Sequence, residues 1–203
     1  MKARSSFFEP DRYFDRLSSV DIDRDVVDLG CKLVLLDIDN TLRSRADGHV
    51  PFDVSAWLRV AKSKGVKLCL LSNNWHANVY DFSRTLDIPI VAKACKPLPF
   101  AYLRALSLFC ISSEEALMVG DQLSTDVWGA HLMGIRAYLV QPLATVDLRH
   151  TRYVRKLESC FLSGVALESS SKNLERSQEH VEGALGLISG RPVSRDSNNM
   201  CER

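Results

Sequence analysis

The chain has 203 residues, of which 46% are hydrophobic and 25% charged, and its formal net charge is +1. This is the composition of a soluble globular protein long enough to bury a substantial core. The near-zero charge supplies no global field for nucleic acid, so attraction to any partner must be local.

Strands and helices alternate along the sequence. The N-terminal stretch MKARSSFFEPDRYFDR lacks the apolar core of a secretory signal, and residues 1–30 are expected to form an extension packing on the core. The first strand is predicted at Leu33 to Asp37. PFDVSAWLRVAKSKG then reads as a helix, with Asp53 as N-cap, Gly65 as stop, and Val54, Trp57, Leu58 and Ala61 on one apolar face. A second strand is expected at Lys67 to Ser72, followed by a helix near His76 to Leu86. A third strand at Ile88 to Ala92 precedes a helix from about Pro97 to Phe109. Ser112 and Glu115 have capping-box spacing ahead of a fourth strand, Ala116 to Gly120. Ser124 to Leu132 is the last crossover helix, closed by Gly134 and followed by a strand at Ile135 to Val140.

Beyond Val140 the character changes. A basic run, Arg149, His150, Arg152, Arg155 and Lys156, precedes a Ser-, Gly- and charge-rich segment, and residues 161–203 read as a flexible tail. No apolar stretch reaches membrane-spanning length. The six cysteines show no CxxC spacing, which argues against a disulfide framework or zinc site and for a reducing cytoplasm.

Residues 31–160 therefore predict an α/β core, a doubly wound parallel sheet built from βαβ units. Ligands of such sheets bind outside the carboxyl ends of the strands. Here those ends read DIDNT, LSNN, AKACK and VGDQLSTD, each polar after an apolar run. Two carboxylates at one buried strand end repel each other and need a cation, proton or phosphate between them. Asp37 is placed to attack phosphorus, and Asp39 to act as acid toward the leaving oxygen and then as base toward water. Ser72, with Asn73 and Asn74, suits a phosphate oxygen at a strand-to-helix junction. Lys96 can balance Asp37 and a transferring phosphoryl group, with Lys93 as a rival three residues away. Asp121 beside Asp37 suits Mg2+, and Asp126 either joins that site through water or orients it.

DIDNTL, LLSNN, Lys96 and VGDQLSTD resemble, in order, the four motifs of the haloacid dehalogenase (HAD) superfamily of phosphohydrolases, over about Pro10 to Leu157. More narrowly, PDRYFDRLSSVDID, AKACKP and GDQLSTDVWGA are similar to the YqeG family of its subfamily IIIA, which includes relatives of mitochondrial phosphatidylglycerophosphate phosphatase. The resemblance implies a HAD-like Rossmannoid core, Asp37 as nucleophile and Asp39 as general acid/base. It also implies phosphate contacts from Thr41, Ser72 and Lys96, and Mg2+ held by Asp37, the Asp39 backbone carbonyl and Asp121, with Asp126 supporting. Two departures are Gln122, where many members have a second adjacent Asp, and the basic RSRADGHVP, to which no family role carries over.

The inserts at Arg43 to Phe52 and His76 to Leu86 are too short for a cap domain, so the crevice is expected to be open, which suits a headgroup still attached to a lipid. The resemblance alone puts phosphatidylglycerophosphate ahead of soluble sugar phosphates or nucleotides. Arg149, Arg152, Arg155 and Lys156 offer peripheral contact with anionic lipid at the inner face of a membrane, each worth about 1 kcal/mol there. Two readings from other classes compete. A receiver-like phosphorylation switch also gathers Asp, hydroxyl, Lys and Mg2+, but places its phosphorylated Asp on a later strand. A non-catalytic scaffold is weakened because no required group is missing.

Overall fold

The computed structural model describes residues 7–45, 48–143 and 165–169, all within one compact unit, Met1–Ser169. The basic run at 149–156 and most of the predicted tail lie outside the described residues. The elements are β1 (Arg12–Phe14), β2 (Leu33–Leu36), α1 (Phe52–Ser63), β3 (Lys67–Ser72), α2 (Asn78–Leu86), β4 (Ile90–Ala92), α3 (Pro99–Phe109), β5 (Ala116–Gly120), α4 (Trp128–Leu132), β6 (Arg136–Val140) and β7 (Leu167–Glu168).

The strands form one sheet in the order β4-β3-β2-β5-β6-β1-β7, and every pairing is parallel. At its centre β2 registers Leu33 with Lys67 on one side and with Ala116 on the other. All four residues of β2 are fully buried. Val34 and Leu36 join one apolar layer, with α1 and Val79 of α2, whereas Leu33 and Leu35 join the other, with α3 and Ala130 of α4. Side chains alternate across a strand, so one covered on both faces has no polar side and reads as an unbroken apolar run. The doubly wound parallel sheet expected from the strand spacing is the one observed.

The predicted helix faces hold, and the corrections are local. Val54, Trp57, Leu58 and Ala61 are the buried side of α1, and Gly65, at φ +78°, ends it. Asp53 is not the N-cap, because Pro51 holds that position in extended backbone. Already inside the helix, the Asp53 carboxylate instead accepts hydrogen bonds from Arg16 Nη1 at 2.9 Å and Ser18 Oγ at 2.6 Å. The same N-terminal segment is tied down by Trp57 Nε1, which donates to the Val20 carbonyl at 2.7 Å. The Ser112–Glu115 capping box is present. The last crossover starts as a wide π turn, Leu123–Val127, in which the N–H groups of Asp126 and Val127 both donate to the Gln122 carbonyl.

Two short strands escaped sequence reading. β1 lies within the predicted N-terminal extension and pairs with β6, Arg12 opposite Tyr138. β7 comes from the segment assigned to the tail and pairs with β1. Among the described residues no helix is long and apolar enough to cross a membrane.

Candidate active site

Asp37 is the first residue past β2, and its N–H still donates to the Val119 carbonyl of β5 at 3.0 Å. The loop that follows is anchored by its own apolar residues, since Ile38 and Leu42 are fully buried. Asn40 makes the reversal possible with a left-handed φ of +66°, a conformation asparagine tolerates better than most residues. Its N–H donates to the Arg43 carbonyl at 2.7 Å.

Lys96 reaches the same point from the far side of β3. The loop after β4 bends through two left-handed residues, Lys93 at φ +53° and Cys95 at φ +52°. Asn73 then clamps the Lys96 peptide in both directions: its Nδ2 donates to the Lys96 carbonyl at 3.1 Å, and its Oδ1 accepts from the Lys96 N–H at 2.7 Å. The buried ammonium donates to Asp37 Oδ1 at 2.6 Å, Asp126 Oδ1 at 2.7 Å and the Leu71 carbonyl at 2.9 Å. Lys93, the rival three residues away, is instead exposed, and its Nζ lies over the Trp75 ring, 5.1 Å from the centroid.

Asp126 owes its position to the π turn and to Gly120. Its Oδ2 accepts from the Gln122 N–H at 3.1 Å. A Cβ on Gly120 would stand 2.3 Å from that oxygen, so only glycine allows the approach. Tyr102 of α3 braces the turn by donating to the Thr125 carbonyl at 2.9 Å. Neither Gly120 nor Tyr102 was singled out from the sequence. Gly120 is visible there only as the end of a strand, and Tyr102 only as one more core aromatic.

Carboxylate oxygens of Asp37, Asp121 and Asp126 all lie within 4.8 Å of one another. One lysine cannot balance three carboxylates. Burial, opposed by Lys96 and reinforced by Asp126, pushes the Asp37 carboxyl up to about 6. Burial, with the charges of Asp37 and Asp126, pushes Asp121 up to about 8. Burial works against the charge on Lys96, but Asp126 and Asp37 more than offset it and raise its pKa. Asp121 Oδ1 is buried with no hydrogen-bond partner. An all-oxygen donor set with two surplus negative charges and an orphaned carboxylate oxygen fits a hard divalent cation such as Mg2+, and not a thiophilic metal.

The other expected residues divide between the crevice and its floor. Asp37, Asp39, Ser72, Asn73 and Lys96 line a cavity of about 560 Å³, whereas Thr41, Asp121 and Asp126 do not. Ser72 is buried, and its Oγ accepts from the Asn74 N–H at 3.1 Å. Thr41 Oγ1 is buried without a hydrogen-bond partner. Asn73, expected at the phosphate, spends its amide on Lys96. The Asp39 side chain stands apart from the carboxylate triad, and its Oδ1 accepts from Arg43 Nε and Nη2, each at 3.2 Å. Arg43 and Arg45 form part of the wall; the sequence marked them as basic but gave them no task.

Residues 94–142 match a family model described as HAD-hydrolase-like. A solved structure from Haemophilus influenzae, the cobalt-bound form of deoxy-D-mannose-octulosonate 8-phosphate phosphatase, is 11% identical, with a TM-score of 0.46 over 66% of this chain and 88% of that one. The phosphoserine phosphatase of Thermus thermophilus is 34% identical over 114 residues, 48% of this chain and 45% of that protein. The probable phosphatase YqeG of Bacillus subtilis is 32% identical over 159 residues, 78% of this chain and 92% of that protein. Likeness across nearly the whole of a relative fixes the class first: this is a phosphatase of the HAD type, an enzyme and not a receiver-like switch or a scaffold. Within that class the chain belongs to the YqeG-like family.

Proposed function

We propose that the protein is a Mg2+-dependent phosphomonoesterase that works through an aspartyl-phosphate on Asp37, with phosphatidylglycerophosphate as the candidate substrate and phosphatidylglycerol as product. The observation that carries the mechanism is the charge imbalance around Lys96: three carboxylates, one ammonium, and a buried Asp121 oxygen with no hydrogen bond. Asp37, Asp121 and the Asp39 backbone carbonyl would hold the metal, with Asp126 supporting. When bound, Mg2+ neutralises the clustered charge and polarises the phosphoryl group.

The remaining steps belong to the chain. An Asp37 oxygen attacks phosphorus while the bond to the leaving oxygen breaks, and Asp39 gives that oxygen its proton. Lys96, held against Asp37, orients the nucleophile and balances the charge that gathers on the phosphoryl oxygens. Ser72 and Thr41 supply hydroxyl contacts to those oxygens. In the second half, Asp39 takes a proton from water, the water oxygen attacks phosphorus, and the Asp37–phosphorus bond breaks to release inorganic phosphate.

Support for a lipid-borne ester comes from the order of polarity at the crevice. Among the described residues no apolar side chain lines it, yet Trp75, Leu98 and Phe100 stand exposed on the segments that carry Asn74 and Lys96. A polar headgroup fits the first environment and acyl chains the second. Such a substrate puts the protein at the inner face of a membrane, where the basic residues Arg149, Arg152, Arg155 and Lys156 would add contacts. The test is phosphate release from phosphatidylglycerophosphate in mixed micelles, with and without Mg2+, beside a panel of soluble sugar phosphates and nucleotides. Mg2+-dependent release confined to the lipid, and reduced about a thousandfold or more in Asp37→Asn, is the expected result. Equal or faster turnover of the soluble esters would discard the lipid and keep the chemistry.

A further inference from the structure

The crevice is much larger than a phosphoryl group needs, and the wall that follows Asp39 carries more positive charge than the phosphate site uses. Arg43 is committed: its Nε and Nη2 both donate to Asp39 Oδ1, its guanidinium lies 4.9 Å from the Phe82 ring centroid, and its side chain is 13% exposed. Arg45 is different. Its Nε meets Asp39 Oδ2 only at 3.9 Å, beyond hydrogen-bonding distance, and its side chain is 51% exposed. Among the described residues of this wall, two guanidinium groups face one carboxylate.

The backbone beneath Arg45 is fixed to the loop that carries Asp37 and Asp39. The Arg45 N–H donates to Asn40 Oδ1 at 3.2 Å. The Ser44 N–H donates to the His49 carbonyl at 3.1 Å, and the Gly48 N–H to the Ser44 carbonyl at 2.9 Å. The side chain is thus half exposed on a backbone held by a hydrogen bond, an arrangement that presents a guanidinium to an anion from an anchored base. Among the described residues, an apolar leaving group would find no apolar side chain around it here.

We infer that Arg45, on the wall beside the Arg43–Asp39 pair, is a subsite for a second anionic group, so that the enzyme selects phosphomonoesters whose leaving group itself carries a phosphate or carboxylate. The inference rests on the hydrolytic reading above, in which Asp39 stands beside the leaving oxygen and its arginine neighbours therefore face the leaving group. A guanidinium presents paired donors that match a carboxylate or phosphate, and a charge-assisted contact of this kind is worth about tenfold in affinity.

The test separates binding from turnover. In an Asp37→Asn background with Mg2+ present, calorimetric titration compares glycerophosphoglycerol phosphate, which has a second phosphate, with glycerol 1-phosphate, which does not. The first ligand should bind more tightly, its advantage should shrink as salt is raised, and adding Arg45→Glu should weaken it about tenfold or more while weakening glycerol 1-phosphate far less. Equal weakening of both ligands, no weakening of either, or no binding of the two-phosphate ligand would overturn the subsite. If the binding difference stands and the wild-type enzyme releases no phosphate from either ester, the hydrolytic reading falls and the subsite remains.

Discussion

Lys96 sits where three carboxylates would otherwise face one another, so its removal is costly twice. Lys96→Met leaves Asp37 and Asp126 buried without their cation, and stability in urea should fall by about 3–5 kcal/mol. Phosphatase activity should fall with it, because the charge that steadies the proposed nucleophile is gone. Gly120→Ala tests the same pair from below. The new Cβ would lie 2.4 Å from Asp126 Cγ, so the carboxylate must leave Lys96 or the strand must shift. A loss of about 1–3 kcal/mol is expected, together with lower kcat, read from urea titration and phosphate release. A substitution that left both unchanged would mean that Asp126 does not hold Lys96 in place.

Among the elements, the three-residue strand β1 carries an unexpectedly rich set of contacts. Arg12 of β1 donates to Asp25 and to Glu168 of β7, the Nε–Oε1 bond to Glu168 being 2.7 Å. Asp25 is fully buried and also accepts from Arg24 Nε at 2.6 Å and the Asp21 N–H at 2.9 Å. Burial alone would raise its pKa, but the hydrogen bonds from Arg24, the Asp21 N–H and Arg12 outweigh burial and hold it below the usual carboxylate value. Its stabilisation is therefore present above that usual value and is lost as pH falls through the lowered one. Asp25→Ala should cost about 3–5 kcal/mol at neutral pH, and the gap between mutant and wild type in thermal melts should close toward strong acid. None of this was legible in the sequence. RYF is too short to show a period, and its partners lie far along the chain. The central strand was legible because LVLL is buried on both faces and then meets DIDN. The choice between Lys93 and Lys96 was not, since it depends on two left-handed residues that no propensity predicts. Arg43 and Arg45 were visible as charge but acquire a direction only when the loop is folded back by Asn40.

In the molecule as a whole, the chain lays down β2, β3 and β4 in one direction and then crosses back to place β5 and β6 on the other side of β2. The reversal opens a crevice at the strand ends, and the residues that gather there come from four separate loops. Concentrating acids at that point makes the metal-free protein sensitive to pH in an unusual direction. Asp37 and Asp121 have folded pKa values of about 6 and about 8, above the usual 3.8. Groups raised on folding stabilise fully below their unfolded value, and that contribution is lost as pH rises through the folded ones. With a chelator present, Tm should therefore decline between about pH 5 and pH 8.5. Saturating Mg2+ should raise Tm most at the alkaline end, and at a hundred times its Kd the gain is about 2.7 kcal/mol. A metal-free Tm that rose steadily over this range would mean that the carboxylates are ionised without cost.

The pairing of β1 also sets a schedule. Its hydrogen-bonding neighbours are β6 and β7, and Arg12 meets Glu168 across 156 residues of sequence. A ribosome makes β1 well before β6 and cannot offer it a partner until β6 emerges, which at ordinary elongation rates takes on the order of ten seconds. A strand made ahead of the sheet's centre is thus bound to be seated after it, and a nascent chain must carry β1 unpaired while that centre assembles.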